Sequence, residues 1–221
     1  ETARKPSKTA MVKVVAGSYT NLSGLFTLRG VRITEPAVGS IWSRGTLRDI
    51  QWDVAGVAFS SEGDVYVSTE GNNPALFTNK VNGAPVPVTD GGTAWNIPAD
   101  IEPSTNAFAM VIVTSAPDQP QDVGLTAYSQ VFTIRGLKVT GPTNGAVSQL
   151  GGVCTIQWKA ADAGANVNIY YSSDGGTNYE TVRLAEPSGD GVRSYAWPVE
   201  TTRTPSANAR IKVVSATGLQ D

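Results

Sequence analysis

The chain has 221 residues, of which 40% are hydrophobic and 16% charged, and 17 basic against 19 acidic side chains give a net charge of −2. This length and apolar content suffice for one large domain or two average domains with packed cores. No basic surplus is present to neutralise phosphates, which argues against nucleic-acid binding, and no apolar run approaches the roughly 20 residues of a membrane-spanning helix. The absence of histidine excludes Ser-His-Asp and Cys-His catalysis, and the single cysteine excludes an internal disulfide.

The most informative feature is an internal repeat with a period of about 100 residues. Phe26–Gly30 (Phe-Thr-Leu-Arg-Gly) recurs as Phe132–Gly136 (Phe-Thr-Ile-Arg-Gly), an offset of 132 − 26 = 106. At the same offset, Ile50–Trp52 recurs as Ile156–Trp158. A constant offset over such a span indicates two copies of one structural unit.

The match continues along both copies with small slips. Trp95 corresponds to Trp197 at an offset of 102, and Val113 corresponds to Val213 at an offset of 100. The falling offset means that the first copy has the longer loops.

A third, partial copy lies at the start of the chain. Ala10–Val15 resembles Ala209–Val214 and is followed by Phe26–Gly30. We therefore expect three parts: residues 1–29 as the C-terminal strands of a preceding truncated module, residues 30–135 as a complete module, and residues 136–221 as a second module lacking its last strand.

Because the repeat begins and ends out of phase with the chain, which starts at Glu1, we expect a segment of a longer array. The alternative is a complete chain in which Leu25–Leu28 of one copy closes the open sandwich of the next, as an unpaired strand edge accepts another strand.

Short segments with period-two alternation predict strands. In residues 153–159, Cys154, Ile156 and Trp158 alternate with polar residues, and clusters of Gly, Pro, Asn and Asp separate such segments. We find no convincing helical periodicity. The pattern predicts an all-β chain of antiparallel β-sandwiches, with strand A at 31–34 and 137–140, B at 47–53 and 153–159, C at 64–69 and 166–172, E at 93–96 and 193–197, F at 107–113 and 209–215, and G at 129–135 in the first copy alone.

Aromatic residues at matched strand positions predict the core of each sandwich, because a buried aromatic side chain removes roughly 150–250 Å² from water. Cys154 is expected to be a small buried core residue. The predicted core residues are Trp52, Trp95, Trp158, Trp197, Ile50 and Ile156.

The segments Val31–Gly45 with Ile50–Trp52, Val139–Gly145 with Ile156–Trp158, and Val167–Gly176 resemble a known repeat. They are similar to the Ser-Thr-rich glycosyl-phosphatidyl-inositol-anchored membrane-protein repeat, found in fungal wall proteins and large bacterial exported proteins. The resemblance implies a tandem Ig-like, fibronectin-III-like fold and an extracellular building block without catalytic residues. Trp42 of the first copy is replaced by Ser148 in the second.

Acidic loop residues are candidate calcium ligands, since Ca²⁺ takes six to eight oxygen ligands. None has the spacing of an EF-hand loop, which favours solvated turn acids and leaves calcium as the one cofactor still open. The candidates are Asp162, Asp174 and Asp190 in the second copy, with Glu62, Asp64 and Asp90 in the first.

Ser172–Tyr179 resembles an Asp-box, a motif that recurs in sialidase-like propellers. A propeller requires a repeat of about 40–50 residues, so we favour a plain hairpin turn in which Asp174 accepts hydrogen bonds from backbone N–H groups.

Three aromatic residues are predicted to lie in loops, where they stack on sugars or pack against their own module. They are Trp42, Tyr19 and Tyr128.

The leading functional hypothesis is a non-enzymatic structural segment of a bacterial cell-surface protein, such as a surface layer, sheath or stalk. Its partners are neighbouring modules of the same protein and like subunits. The alternative is an accessory polysaccharide-binding or adhesin region of a large secreted protein or enzyme. No motif places paired carboxylates, so no catalytic residue is predicted.

Overall fold

The computed structural model describes residues 4–221, and its regular structure is almost entirely β-strand. Short 3-10 turns occur at Pro74–Leu76, Val88–Asp90 and Pro120–Asp122. In chain order the strands are β1 (Ser7–Ala10), β2 (Lys13–Ala16), β3 (Tyr19–Leu22), β4 (Phe26–Leu28), β5 (Gly30–Glu35), β6 (Ile41–Ser43), β7 (Leu47–Ala55), β8 (Glu62–Ser68), β9 (Asn79–Lys80), β10 (Val86–Pro87), β11 (Gly92–Asn96), β12 (Ser104–Ser115), β13 (Thr126–Tyr128), β14 (Phe132–Gly141), β15 (Val153–Ala161), β16 (Asn166–Ser172), β17 (Glu180–Pro187), β18 (Gly191–Pro198) and β19 (Arg210–Ser215).

The chain forms two compact units. The first comprises Glu1–Ser40, Leu47–Ile97 and Asn106–Phe132, and the second comprises Ile41–Thr46, Pro98–Thr105 and Thr133–Asp221. The boundaries of the sequence repeats at residues 30 and 136 stay predictions, because the two compact units are divided at other positions.

The first unit contains two antiparallel sheets of an Ig-like sandwich. One sheet has the order β11–β7–β5, and the other has the order β10–β8–β12, with β9 also pairing β8 and β13 pairing β12. These strands occupy the predicted positions A, B and E on one sheet and C and F on the other. The predicted strand G at 129–135 corresponds to the first residues of β14, which begins at Phe132, and β13 is an additional strand before it.

The second unit repeats this arrangement. Residues Gly136–Gly141 of β14 pair with β15, which pairs with β18, while β17, β16 and β19 form the opposing sheet. The prediction of an all-β chain of Ig-like sandwiches is therefore confirmed.

The two repeats meet within a strand. β14 runs without interruption from Phe132 to Gly141 and so contains the end of one repeat and the beginning of the next. No Gly/Ser-rich or Pro-rich segment separates the repeats at this point.

The cores are built around the repeated tryptophans. Trp52, Trp95, Trp158 and Trp197 are 0–5% exposed, and Ile50, Ile156 and Cys154 are also buried. The alternation that predicts β7 and β15 is visible in their burial, because Ile50 and Trp52 are buried between exposed neighbours, as are Cys154, Ile156 and Trp158.

Each strand-B tryptophan also has a partner for its indole N–H, which a buried indole requires. Trp52 Nε1 donates to Val88 O at 2.7 Å, and Trp158 Nε1 donates to Ser188 Oγ at 3.0 Å. Both acceptors belong to the segment that leads into strand E of the same sandwich.

The first strands form a hairpin that we call the N-terminal hairpin, Ser7–Leu28. β2 pairs with β3, β1 pairs with β4, and Ser23 N donates to Val12 O at 2.9 Å between the two pairs. The predicted strand at 10–15 is divided between the end of β1 and β2, the predicted strand at 25–28 is β4, and β3 is an additional strand. Every residue of β2 and β3 is exposed.

Within residues 4–221, no helix is long and apolar enough to cross a membrane.

Candidate functional site

Four of the six acidic residues considered as calcium ligands, Asp64, Asp162, Asp174 and Asp190, are engaged with protein groups. Asp162 forms an ion pair with Arg135, and Asp190 Oδ1 accepts a hydrogen bond from Asp162 N at 2.7 Å. In the first unit, Asp64 pairs with Lys80 at 2.9 Å, while Glu62 and Asp90 are exposed. Among the described residues, no three acidic or cysteine side chains come together in a way that could hold a metal ion.

Asp174 closes the turn between β16 and β17, as the hairpin interpretation of Ser172–Tyr179 predicts. Its carboxylate accepts hydrogen bonds from Thr177 N and Asn178 N, both at 3.0 Å, and from Ser172 Oγ at 2.7 Å. Gly175 and Gly176 follow with φ of 82° and 102°, values that favour glycine. The hydrogen bonds from Asn178 and Ser172 hold the pKa of Asp174 well below its ordinary value.

We expect the Asp174 carboxylate to stay ionised below the ordinary aspartate pKa of about 3.9. Because the pKa is lowered in the folded chain, the stabilisation is fully present above the unfolded value and disappears as the pH falls through the folded value. Carboxyl chemical shifts followed by NMR from pH 6 to pH 2 should show the Asp174 midpoint below the ordinary aspartate value of about 3.9, and a midpoint at that value would contradict the turn interpretation.

The three aromatic residues predicted in loops all lie on short strands, so this placement is wrong. Trp42 is in β6 and only 6% exposed, because β6 pairs with Thr133–Arg135 of β14. Tyr128 is in β13, half-exposed, with its ring 5.5 Å from that of Phe77. Tyr19 is in β3 and 81% exposed. Burial removes Trp42 as a surface for sugar stacking and leaves the two tyrosines accessible.

A polar cleft in the second unit has Arg203 at its centre. Its guanidinium carbon lies 5.0 Å from the ring centroids of both Tyr171 and Trp197, and its nitrogens pair with Glu180 and Glu200. The cation therefore covers the aromatic faces that line this side of the sandwich. At the Trp95-to-Trp197 offset of 102, the first copy has buried Ile101 at the position of Arg203.

We expect Arg203→Ala to destabilise the second unit by about 1–2 kcal/mol, through lost packing and cation–π contact with Trp197 and Tyr171. Arg203→Ile should lose less, because an isoleucine side chain keeps part of the apolar packing against the two rings. Urea unfolding of both variants measures the difference. Equal losses would contradict a packing role and assign the stabilisation to the ion pairs, which both variants remove.

The arginine of the repeated Phe-Thr-x-Arg-Gly motif makes an acidic contact in both occurrences. Arg29 Nη1 donates to Asp122 Oδ1 at 2.9 Å in the first unit, and Arg135 pairs with Asp162 in the second. Asp122 is fully buried and also accepts from Ala58 N at 3.1 Å and Ser61 Oγ at 3.3 Å. The motif therefore ends its strand with a fixed ion pair.

The N-terminal hairpin has the most extensive exposed apolar surface of the first unit. A segment with this many exposed large apolar side chains is typical of an interaction surface, and an isolated two-stranded hairpin is marginally stable in water. Its exposed large apolar residues are Met11, Val12, Val14, Val15, Tyr19, Leu22, Leu25 and Phe26.

The two units differ at the outer edge of strand F, which another strand covers in the first unit. In the first unit, Met110–Ile112 of β12 pair with β13. The equivalent Arg210–Lys212 of β19 pair with β16 on one side, and beyond them Val213 exchanges two hydrogen bonds with Asp221. Val147, which matches β6 residue Ile41 at the offset of 106, is 96% exposed and outside any strand.

Sequence reasoning missed the buried carboxylate of Asp122 and the Arg203 cleft. Asp122 had no matched acid in the second copy, and Arg203 differs from Ile101 in type. A position-by-position comparison of the two copies would have singled out the latter as a change at a core-facing site.

No protein-family model and no curated protein matches this chain. Among solved structures it is similar to fibronectin(III)-like modules of Clostridium thermocellum CbhA, at 11% identity and a TM-score of 0.27, over 86% of this chain and 88% of that one. It is also similar to the polymeric Ig receptor ectodomain of a teleost fish, at 14% identity and a TM-score of 0.30, over 70% and 73% of the two chains. The Ig-like fold of this chain follows from its own strand order and pairing.

Proposed function

We propose that the chain is a non-enzymatic structural segment of a bacterial cell-surface protein built from tandem Ig-like modules. The observation that carries the proposal is the junction between repeats. A single strand, β14, contains the last strand of one repeat and the first strand of the next. A Gly/Ser-rich linker would let modules swing freely, and no such linker stands between the two repeats.

The motif arginines support the same function. Arg29 and Arg135 both follow a Phe-Thr-x sequence, and both form ion pairs with an aspartate, Asp122 or Asp162. A contact made in this way at each repeat boundary suits a chain whose role is to keep modules in order.

The location can be tested on the source cells with an antibody raised against this chain. Immunogold labelling of intact cells should place gold particles on the outer surface, in a regular array if the protein forms a layer or sheath. Label confined to the interior of sectioned cells would contradict the proposal.

The structural role has a separate test. Single-molecule stretching of the chain between two handles should give one unfolding event for each sandwich, because each has its own core. Extension without such force peaks would contradict a structural role in a surface array.

Polysaccharide binding is the second candidate. Tyr19 favours this candidate, because its side chain on β3 is 81% exposed and its ring is accessible to a sugar. Co-sedimentation with insoluble cell-wall polysaccharide tests it directly. Retention that is abolished by Tyr19→Ala and preserved in Tyr128→Ala would support this candidate, and no retention would exclude it for the polysaccharide used.

A further inference from the structure

We propose that the N-terminal hairpin is an interface for strands A to E of another copy of this repeat, with which it completes an Ig-like sandwich as strands F and G. The inference rests on the proposed tandem-array function. The face concerned is the one that carries Val12, Val14 and Phe26, which we call the inner face of the hairpin.

The inner face is defined by the strand pairing. The hydrogen bond from Ser23 N to Val12 O extends the β2–β3 ladder to Val12. Side chains alternate along such a ladder, so Val12 and Val14 point to one side, with Asn21 opposite Val14. Ala10 pairs with Phe26 across the hairpin, which brings the Phe26 ring to the side of Ala10. Val15 lies on the opposite side, and its partner across the hairpin is Thr20.

The inner face uses the residues that the first sandwich buries. Aligned through Ala209–Val214, Val12 corresponds to Val111, Val14 to Val113, and Phe26 to Phe132. Val12, Val14 and Phe26 are 51%, 62% and 43% exposed. Their counterparts, listed in the same order, are Val111, Val113 and Phe132, each 1% exposed.

The first sandwich also indicates what covers such a face. There the sheet that contains strands A, B and E places Ile50, Trp52 and Trp95 in the core, each under 5% exposed. The edge of β12 is covered by β8, which pairs with it in the same sheet through Val111↔Val65 and Val113↔Gly63. A strand A to E layer therefore offers both an apolar surface and a strand edge.

The hairpin needs both of these. Its inner face carries Val12, Val14 and Phe26 beside the polar Asn21, and among the described residues β2 pairs with β3 alone, so the outer edge of β2 is open to a further strand. A sugar polymer would contact the face without pairing with the edge. The combination specifies a β-sheet partner, and the sequence match specifies a copy of this repeat.

The base of the hairpin is held by an arginine–aspartate ion pair like the one at the boundary between the two repeats. Arg29 directly follows β4 and pairs with buried Asp122, and Lys5 pairs with Asp53 at 3.5 Å. Arg135 stands at the same place in the next copy and pairs with Asp162. The contact identifies β4 as the closing strand of a repeat rather than an incidental extension.

The experiment supplies the partner from this chain's own sequence. At the offset of 99 that relates Ala109 to Ala10, Asn106 corresponds to Ser7. A fusion of residues 30–105 directly ahead of residues 7–221 thus continues strand E into the hairpin in register. Hydrogen–deuterium exchange of residues 10–28 should become at least about tenfold slower in the fusion than in the 221-residue chain, as expected of amides that open only with the whole sandwich.

Two substitutions on opposite faces sharpen the test. In the fusion, Val14→Asp should abolish the added protection, because it buries a carboxylate in the new core, whereas Val15→Asp should leave the protection in place. In the 221-residue chain both variants should unfold like the parent, because Val14 and Val15 are both exposed. Equal effects of the two variants in the fusion would overturn the proposal.

Other occupants are also outcomes of the test. Unchanged exchange in the fusion would overturn the proposal, as would self-association of the 221-residue chain that Val14→Asp abolishes, which would make a second hairpin the partner. If the immunogold test fails but exchange is slowed in the fusion, the cell-surface function is contradicted and the hairpin interface is not.

Discussion

Trp158→Ala is expected to lower the free energy of unfolding of the second unit by about 3–5 kcal/mol. The indole is fully buried and lies in one cluster with Ile156, Ile169 and Trp197. Removal leaves a large cavity and also leaves Ser188 Oγ without the indole N–H that it accepts at 3.0 Å. Denaturant unfolding, with exchange protection of β15 and β16 followed by mass spectrometry, measures the loss.

Two control variants distinguish the loss of core packing from a general sensitivity of the second unit to substitution. Leu184→Ala on β17, where the side chain is 58% exposed, should change stability by no more than about 0.5 kcal/mol. Trp158→Phe should lose less than the alanine variant, because the ring still fills part of the space. A Trp158→Ala variant as stable as the parent would contradict the assignment of Trp158 as the centre of this core.

Asp122→Ala is expected to cost the first unit about 2–3 kcal/mol. The fully buried carboxylate accepts hydrogen bonds from Arg29, Ala58 and Ser61, and Ser61 is itself fully buried. The ion pair contributes the smaller part, because the Arg29 side chain is 36% exposed and screened by water. Most of the loss comes from buried donors left without an acceptor.

Asp118→Ala is the control, since Asp118 is exposed in the same loop and should have little effect. A double-mutant cycle with Arg29→Ala isolates the ion pair, and we expect Arg29→Ala to cost less than Asp122→Ala. The Asp122→Ala variant should also speed hydrogen exchange at residues 26–30, because Arg29 would no longer hold the base of the hairpin. Exchange unchanged there would contradict an anchoring role for Asp122.

Much of the fold could be predicted because its signals are local. The alternation of Cys154, Ile156 and Trp158 with polar residues depends only on the period of a strand, and the structure buries the same three side chains. The turn at Asp174 is equally local, since its acceptor groups bond N–H groups three and four residues later. A repeated sequence then extended each assignment from one copy to the other.

The aromatic sites could not be predicted in this way. Trp42, Tyr19 and Tyr128 stand in short strands between Gly-rich or polar segments, which resemble loops in sequence. Trp42 is buried because β6 pairs with residues 133–135, which lie some ninety positions away. Arg203 likewise depends on Glu180, Tyr171 and Trp197, three positions that only the folded sheet brings together.

The sequence by itself determined the fold class, the positions of strands A, B, C, E and F and the tryptophan cores, because periodicity and internal repetition are properties of the chain alone. Burial was decided by tertiary structure. Val14 and Val113 are the same residue type at equivalent strand positions, yet one is 62% exposed and the other 1%. The physical reason is that a strand presents an apolar face through its own alternation, whereas covering that face requires a second sheet, which Val113 has within the described chain and Val14 does not.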